Sequence, residues 1–436
     1  MVRNIGRREF LVGTGTAGTL GLAGCIGGGG NGGDGGDSGP EMLVVIGYPE
    51  SGIQLFRDYY SMAGGDHDIL VPDGLRDGAM PGQVGNDMEN VIGTAPAAGG
   101  PNQEAFNSLF QEQYGESPGV FTSQSYDSVA IQILANAAAG ENDGTAVRDQ
   151  MRRIANPSGD AYGPQNFLDA VEAAANGDDI NYQGASSATN FNGAGDPASA
   201  AYSIWEFEGA DTEGTSQIEV QNFEGENPDG SGPSADSGSG GMGRTIDVGI
   251  LLPETGDLAS VGGPMIQAAQ LPARQVNDAD LDLEVNAQVE DTQTSPSSGV
   301  TAAESLVNAG MPSVCGSASS GVNVPVSQEV FIPNQIVGCS PSSTALSVTN
   351  LEDDDYIFRT APSDQLQGRV MAQVASERLG NSTAATLYVN NDYGQQLSER
   401  FTGVFEDTFG GTVTNQVAFN IGESSYSSVI ETALSG

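Results

Sequence analysis

The 436-residue chain contains no lysine; all 14 of its basic residues are arginines. That absence excludes a Walker A phosphate loop, Schiff-base chemistry and any lysine-based proton transfer. There is one histidine, His67, so a His-rich zinc site or a Ser-His-Asp triad would rest on that residue alone. It stands in the polar run Gly64-Gly65-Asp66-His67-Asp68, which reads as a turn with an exposed imidazole. Positive charge is scarce: 57 acidic residues against 14 arginines give a net charge of −43, which argues against nucleic acid and anionic lipid headgroups as partners. No serine has an evident base beside it. The expectation is a chain that is not an enzyme, with no cofactor and no metal.

Strong acidity with 6% aromatic residues is also a mark of disorder. Here 38% of residues are hydrophobic and they recur in periodic blocks, so most of the chain is expected to fold. The acidic residues are spread along the chain, a pattern suited to very high salt, where screening removes self-repulsion. We read a halophilic source. A calcium sponge is the alternative, but no D-x-[DN]-x-[DN]-G loop followed by Glu stands out.

Residues 1–25 read as an export signal. Arg7-Arg8 precede an apolar run, 11–23, that is too short to span a bilayer. The run ends in Leu22-Ala23-Gly24-Cys25, which resembles the lipobox of secreted lipoproteins and marks Cys25 for lipidation. The twin arginines imply twin-arginine (Tat) export. Residues 26–39, rich in Gly and Asp, read as a tether, and 225–243 as a flexible linker. Extracellular placement permits a Cys315–Cys339 disulfide; neighbouring parallel strands rarely offer its geometry, so two buried thiols are the equal alternative.

Strand-like runs alternate with helical ones on both sides of the linker, which signals parallel α/β sheets. Strands are expected at 42–47, 68–71, 91–94, 202–208, 246–252, 283–289, 311–315, 335–339, 384–389 and 413–419. Helices are expected at 53–62, 103–114, 125–138, 144–154, 264–276, 298–308, 365–379 and 426–434. The fold class is α/β, with two doubly wound lobes. The chain ends on a helix with no strand after it, and the folded part begins on a buried strand with no helix before it. Joined, the two ends make an ordinary helix–loop–strand step, so the order reads as circularly permuted, with 225–243 joining the ancestral ends.

In that circular order the landmarks are Leu252-Pro253-Glu254-Thr255-Gly256-Asp257-Leu258-Ala259-Ser260-Val261-Gly262, Gly316-Ser317-Ala318-Ser319-Ser320, Ser340-Pro341-Ser342-Ser343-Thr344, Phe358-Arg359-Thr360-Ala361-Pro362-Ser363-Asp364-Gln365-Leu366-Gln367-Gly368, Asn390-Asn391-Asp392-Tyr393-Gly394, Gly47-Tyr48-Pro49-Glu50-Ser51-Gly52 and Pro72-Asp73-Gly74. Together they resemble the type I periplasmic binding proteins of ABC transporters, nearest the leucine/isoleucine/valine-binding branch, over most of 40–223 and 244–436. The resemblance implies two Rossmann-like lobes joined by a three-strand hinge. Residues 244–361 would form the first lobe, 362–436 the start of the second, and 40–224 the remainder of the second with crossover segments. Lobe crossings are expected near 118–121, 200–204 and 360–363.

Ser320, Thr344, Tyr393, Tyr48 and Asp73 all follow strands, where open α/β sheets bind ligands. The resemblance implies that Ser320 and Thr344 take a ligand carboxylate, that Asp73 takes its ammonium, and that Tyr48 and Tyr393 cover it from the opposite lobe. Ser319, Ser343 and Val261 are further candidates. Each has a plainer reading: helix caps for the hydroxyls, a turn for Asp73 and core packing for the tyrosines. Val261 stands where the leucine-binding proteins carry tryptophan, and Asp73 where they carry glutamate. The expected function is capture of a small amino acid, branched-chain favoured, by hinge closure, and its delivery to an ABC permease and its ATPase. The protein would be anchored outside the cell by a lipid on Cys25. The alternatives are a ligand-sensing ectodomain and a carrier for an amide or urea-like solute.

Overall fold

The computed structural model describes residues 39–223 and 241–435. Cys25, the expected signal and tether, and the linker residues 225–240 lie outside them.

Five consecutive buried residues, Met-Leu-Val-Val-Ile, make β1 (Met42–Ile46) a strand covered on both faces, as a parallel sheet requires. In chain order there follow α1 (Pro49–Ala63), β2 (Asp68–Val71), α2 (Met80–Val84), β3 (Val91–Pro96), α3 (Gln103–Tyr114), α4 (Thr122–Ala139), α5 (Gly144–Ala155), β4 (Asp160–Tyr162), α6 (Phe167–Asn176), β5 (Ile180–Tyr182), β6 (Ala200–Phe207) and β7 (Thr215–Phe223). The second segment carries β8 (Arg244–Leu252), α7 (Ala259–Asn277), β9 (Leu283–Asp291), α8 (Pro296–Asn308), β10 (Ser313–Gly316), α9 (Ser320–Val326), β11 (Val337–Ser340), α10 (Leu346–Thr349), β12 (Ile357–Arg359), α11 (Asp364–Gln373), β13 (Thr383–Val389), α12 (Asp392–Asp407), β14 (Thr412–Phe419) and α13 (Ser427–Leu434). Wider-wound π turns continue α9 over Ser327–Phe331 and α11 over Val374–Leu379.

Two main sheets result. The five-stranded sheet of the first lobe runs β12-β11-β10-β8-β9, parallel throughout. The sheet of the second lobe runs β14-β13-β1-β2-β3-β6-β7, parallel up to β3, with β6 and β7 antiparallel. Counted from β8, the first sheet has the doubly wound order 2-1-3-4-5. Counted from β13 through β14 to β1, β2 and β3, the second has the same order. The ends of the folded body meet: a Cβ on Gly39 would stand 2.4 Å from the Leu434 carbonyl oxygen.

The chain crosses between lobes after β3, at 97–102, because Phe106 and Phe110 of α3 pack in the same core as Phe121, Tyr126 and the β8 side chains Ile246, Val248 and Ile250. Residues 118–121 therefore turn between two helices of the first lobe and are not a crossing; the sequence expectation there is corrected. The chain returns ahead of β6, and crosses again between β12 and α11, over 360–363 as expected. Asp127 of α4 fixes the segment before β6: its carboxylate accepts from the Ala185 and Ser186 amides at 3.0 and 2.7 Å and from the Ser186 and Tyr182 hydroxyls at 2.5 and 2.8 Å. Cys315 and Cys339 are register partners on β10 and β11, both buried free thiols.

Arg359, fully buried at the end of β12, meets Asp196 through two bonds of 2.5 and 2.9 Å. It also donates to the carbonyls of Ser343 and Ala345 at 3.1 and 3.0 Å, while its amide bonds Gly195 at 3.0 Å. Removing one partner of a buried pair strands the other charge, so Arg359→Met is expected to cost about 3–5 kcal/mol of unfolding free energy, read by denaturant titration.

Candidate functional site

The loops after β1, β2 and β13 face those after β8, β10 and β11 across the cleft, at the points where strand order reverses in each sheet. Between them lies a narrow pocket whose empty space, about 390 Å³, includes open solvent. Its second-lobe wall is Tyr48, Asp73, Gly74 and Tyr393; its first-lobe wall includes Phe121, Leu258, Val261, Met265, Ser319 and Ser320. The lining is mostly apolar.

Tyr48 precedes α1 and Tyr393 lies in the first turn of α12, and their rings stack at 5.8 Å with planes 10° apart. The Tyr48 hydroxyl lies 2.9 Å from the Ser319 hydroxyl across the cleft and accepts from Asn391 Nδ2 at 2.9 Å. Burial pushes its pKa up to about 12, so it stays a phenol. The Gly74 amide donates to the Tyr393 hydroxyl at 3.2 Å. A Cβ on Gly74 would sit 2.4 Å from the Gly47 carbonyl oxygen, a close approach only glycine permits.

Asp73, 3% exposed, is the carboxylate in this wall. Gln367 Nε2 donates to it at 2.6 Å. Burial outweighs the hydrogen bonds from Gln367 and Tyr393 and raises its pKa to about 6. Other protein–protein bonds close the cleft: Ser51 Oγ donates to Asp257 at 2.6 Å, and the Ser347 amide to Gln396 Oε1 at 2.9 Å.

Of the residues expected from sequence, Tyr48, Asp73, Tyr393, Ser320, Ser319 and Val261 line the cavity together. The Ser320 hydroxyl accepts from the Ala345 amide at 3.2 Å, which ties the β10 and β11 loops to each other. Thr344 and Ser343 do not line it; Ser342 does. The reason is local. Arg359 draws the Ser343 carbonyl inward, and the Thr344 carbonyl accepts from the Asp364 amide at 2.8 Å, so this part of the loop turns toward the crossing. Sequence reasoning missed Phe121, Leu258 and Met265. Leu258 lies within the first-strand landmark and Met265 follows it, both at helical spacing from Val261, which was a usable signal; nothing marks Phe121 as a lining residue. His67, half-buried, pairs with the Tyr59 hydroxyl at 3.3 Å, away from the cavity. Among the described residues no group of three or more His, Cys, Asp or Glu is placed to hold a metal ion, and no helix is long and apolar enough to cross a membrane.

Residues 245–435 match the family model described as periplasmic binding protein. The Leu/Ile/Val-binding protein homolog 1 of Brucella abortus is 29% identical over 188 residues, 42% of this chain and 49% of that one. The leucine-, isoleucine-, valine-, threonine- and alanine-binding protein of Pseudomonas aeruginosa is 26% identical over 188 residues, 43% and 50%. The chain thus spans about half the length of the curated relatives it matches. A leucine-binding protein of Thermotoga maritima gives a TM-score of 0.40 at 23% identity, over 44% of this chain and 53% of that one.

Ionised Asp73 is costly in this wall. A carboxyl whose pKa is raised by folding adds stability below its unfolded value near 3.9, and that stability is lost as pH rises through about 6. Asp73→Asn is therefore expected to stabilise the ligand-free protein at neutral pH by up to about 3 kcal/mol. The gain should vanish near pH 4 in paired thermal melts, roughly the unperturbed aspartate value.

Proposed function

We propose that the chain, whose residues 245–435 match the periplasmic binding protein model, is a solute-binding protein for an apolar α-amino acid, branched-chain favoured. The observation that carries this reading is the composition of the cavity: one buried carboxylate, Asp73, in a wall of aromatic and aliphatic side chains contributed by both lobes. A charge-assisted bond from Asp73 would hold the ligand ammonium, more strongly in a closed cleft than at the surface. The Ser319, Ser320 and Ser342 hydroxyls would meet the carboxylate, and Leu258, Val261, Met265 and Phe121 would surround the side chain. A urea-like solute would leave this apolar surface unfilled. Two lobes joined by three crossings then close over the ligand, in the manner of a hinge.

In this reading the closed form delivers its ligand to an ABC permease and its ATPase, and a lipid on Cys25 holds the protein at the outer face of the membrane. Isothermal titration of the mature chain in molar salt, against leucine, isoleucine, valine, alanine, glutamate and urea, tests the ligand class. Saturable binding of an apolar amino acid, weakened at least about a hundredfold in Asp73→Ala (roughly 3 kcal/mol for a buried charged hydrogen bond), is expected. No binding by a folded protein would overturn it.

The chain order fits a circular permutation. The shared 2-1-3-4-5 winding emerges in the second lobe only when the chain is read through the junction of Leu434 with Gly39. A rearranged chain with residue 435 joined to residue 40 and new ends within 224–240 is expected to fold and to bind the same ligand. Failure to fold would count against a shared ancestral order.

A further inference from the structure

Gln367 links Asp73 to a helix that begins with a second buried carboxylate, which lies within the crossover landmark but was not among the residues expected at the site. Asp364, the first residue of α11, is fully buried at the crossing between the lobes. Gln367, one turn further along α11, bridges to Asp73 at 2.6 Å and to the Thr94 carbonyl at 3.4 Å. The groups that face the pair from the packed elements can be named. Tyr393 of α12 and Tyr202 of β6 feel both carboxylates, and the Tyr202 hydroxyl is committed to the Ser363 carbonyl at 2.8 Å. Arg359 of β12 lies near Asp364 but is committed to Asp196. The Thr344 hydroxyl faces Asp364 and favours its ionised form, though it is too poorly aligned to satisfy either carboxylate oxygen. Tyr48, from the loop after β1, lies near Asp73 and is occupied by Ser319 and Asn391.

The cluster is therefore rich in acceptors and poor in donors. Both Asp364 oxygens and Gln367 Oε1 are buried without a hydrogen-bond partner among the described residues. Two buried carboxylates with no uncommitted cation beside them cannot both ionise cheaply, and the least costly neutraliser is a proton. Burial and the proximity of Asp73 both raise the Asp364 pKa.

Building on the amino-acid reading above, we infer that Asp364 and Asp73 form a proton-holding acid pair at the ammonium position, and that capture of a cationic ligand end displaces a proton from it. Asp364 is a positioning residue in this scheme: it acts on the ligand through Asp73 and is absent from the cavity lining. The balance is simple. The ligand arrives with its ammonium intact, the proton of the pair leaves to solvent, and no bond in the ligand changes.

The test is calorimetric titration of the full mature chain, with L-leucine first, from acid to slightly alkaline pH in two buffers of different ionisation enthalpy. The wild type is expected to release up to one proton per ligand, with affinity falling by up to about tenfold per pH unit on the acid side of the pair. Asp364→Asn should still bind, with the proton release near and above neutral pH removed and the acid-side release due to Asp73 kept. A purely structural role for Asp364 would change affinity without changing this profile. Binding enthalpies independent of buffer across the whole range would overturn the acid pair while leaving the amino-acid reading standing. A wild-type release profile unchanged in Asp364→Asn would overturn the part given to Asp364. Dependence on sodium in place of pH would replace the proton by a metal ion. No binding at any pH would overturn both readings.

Discussion

The geometry of the cleft depends on one buried guanidinium. Arg359 is the last residue of β12 before the chain leaves the first lobe, and it joins the sequence-distant Gly195-Asp196 ahead of β6 to the nearby β11 loop, through Ser343 and Ala345, and to Thr349 of α10. A buried pair of this kind gains little net stability over a well-packed apolar equivalent, but it fixes register, because any other arrangement strands a charge. Fixing these segments fixes the wall of the cavity, since the loop that Arg359 holds carries Ser342 into the lining and turns Thr344 out of it.

What was legible in the sequence follows what burial makes visible. A mostly buried apolar run and an apolar pair at helical spacing both announce themselves, so β2 and α3, which buries Phe106 and Phe110, begin and end where the hydrophobic pattern says, and the doubly wound lobes follow from their alternation. β7 escaped notice because it is an edge strand with a largely exposed, polar sequence, and β4 and β5 are too short to show a period. The crossing at 97–102 escaped because Pro118-Gly119 carries as strong a break signal as Gly99-Gly100-Pro101. A break in local structure does not say on which side of a cleft the chain resumes. In the site, residues that follow strands were readable from strand topology alone. Phe121 was not: it enters through a left-handed backbone (φ 61°) ahead of α4, a conformation its side chain does not advertise. Asp364 reads as an ordinary helix-start acid, and only its complete burial distinguishes it.

Charge is partitioned in a consistent way. The chain spends its few arginines on pinning loops, as Arg152 does with Asp355 and Arg359 with Asp196, and leaves the cavity carboxylate Asp73 without one. A net charge of −43 adds to the energetic cost of every buried acid, Asp73 and Asp364 included. Groups kept in spite of their stability cost are where function is most reasonably sought.

Three of the bonds that close the cleft, Tyr48 to Ser319, Ser51 to Asp257 and the Ser347 amide to Gln396, run from protein to protein and pass through no ligand atom. Part of the free energy of closure is therefore built into the lobes, and in the proposed binding role a solute would supply only the remainder. In such a device apparent affinity is the product of intrinsic affinity and the fraction of molecules already shut. Sequence drift at the two latches outside the cavity lining, Ser51 to Asp257 and Ser347 to Gln396, would then retune the concentration at which the protein responds while leaving its choice of solute untouched.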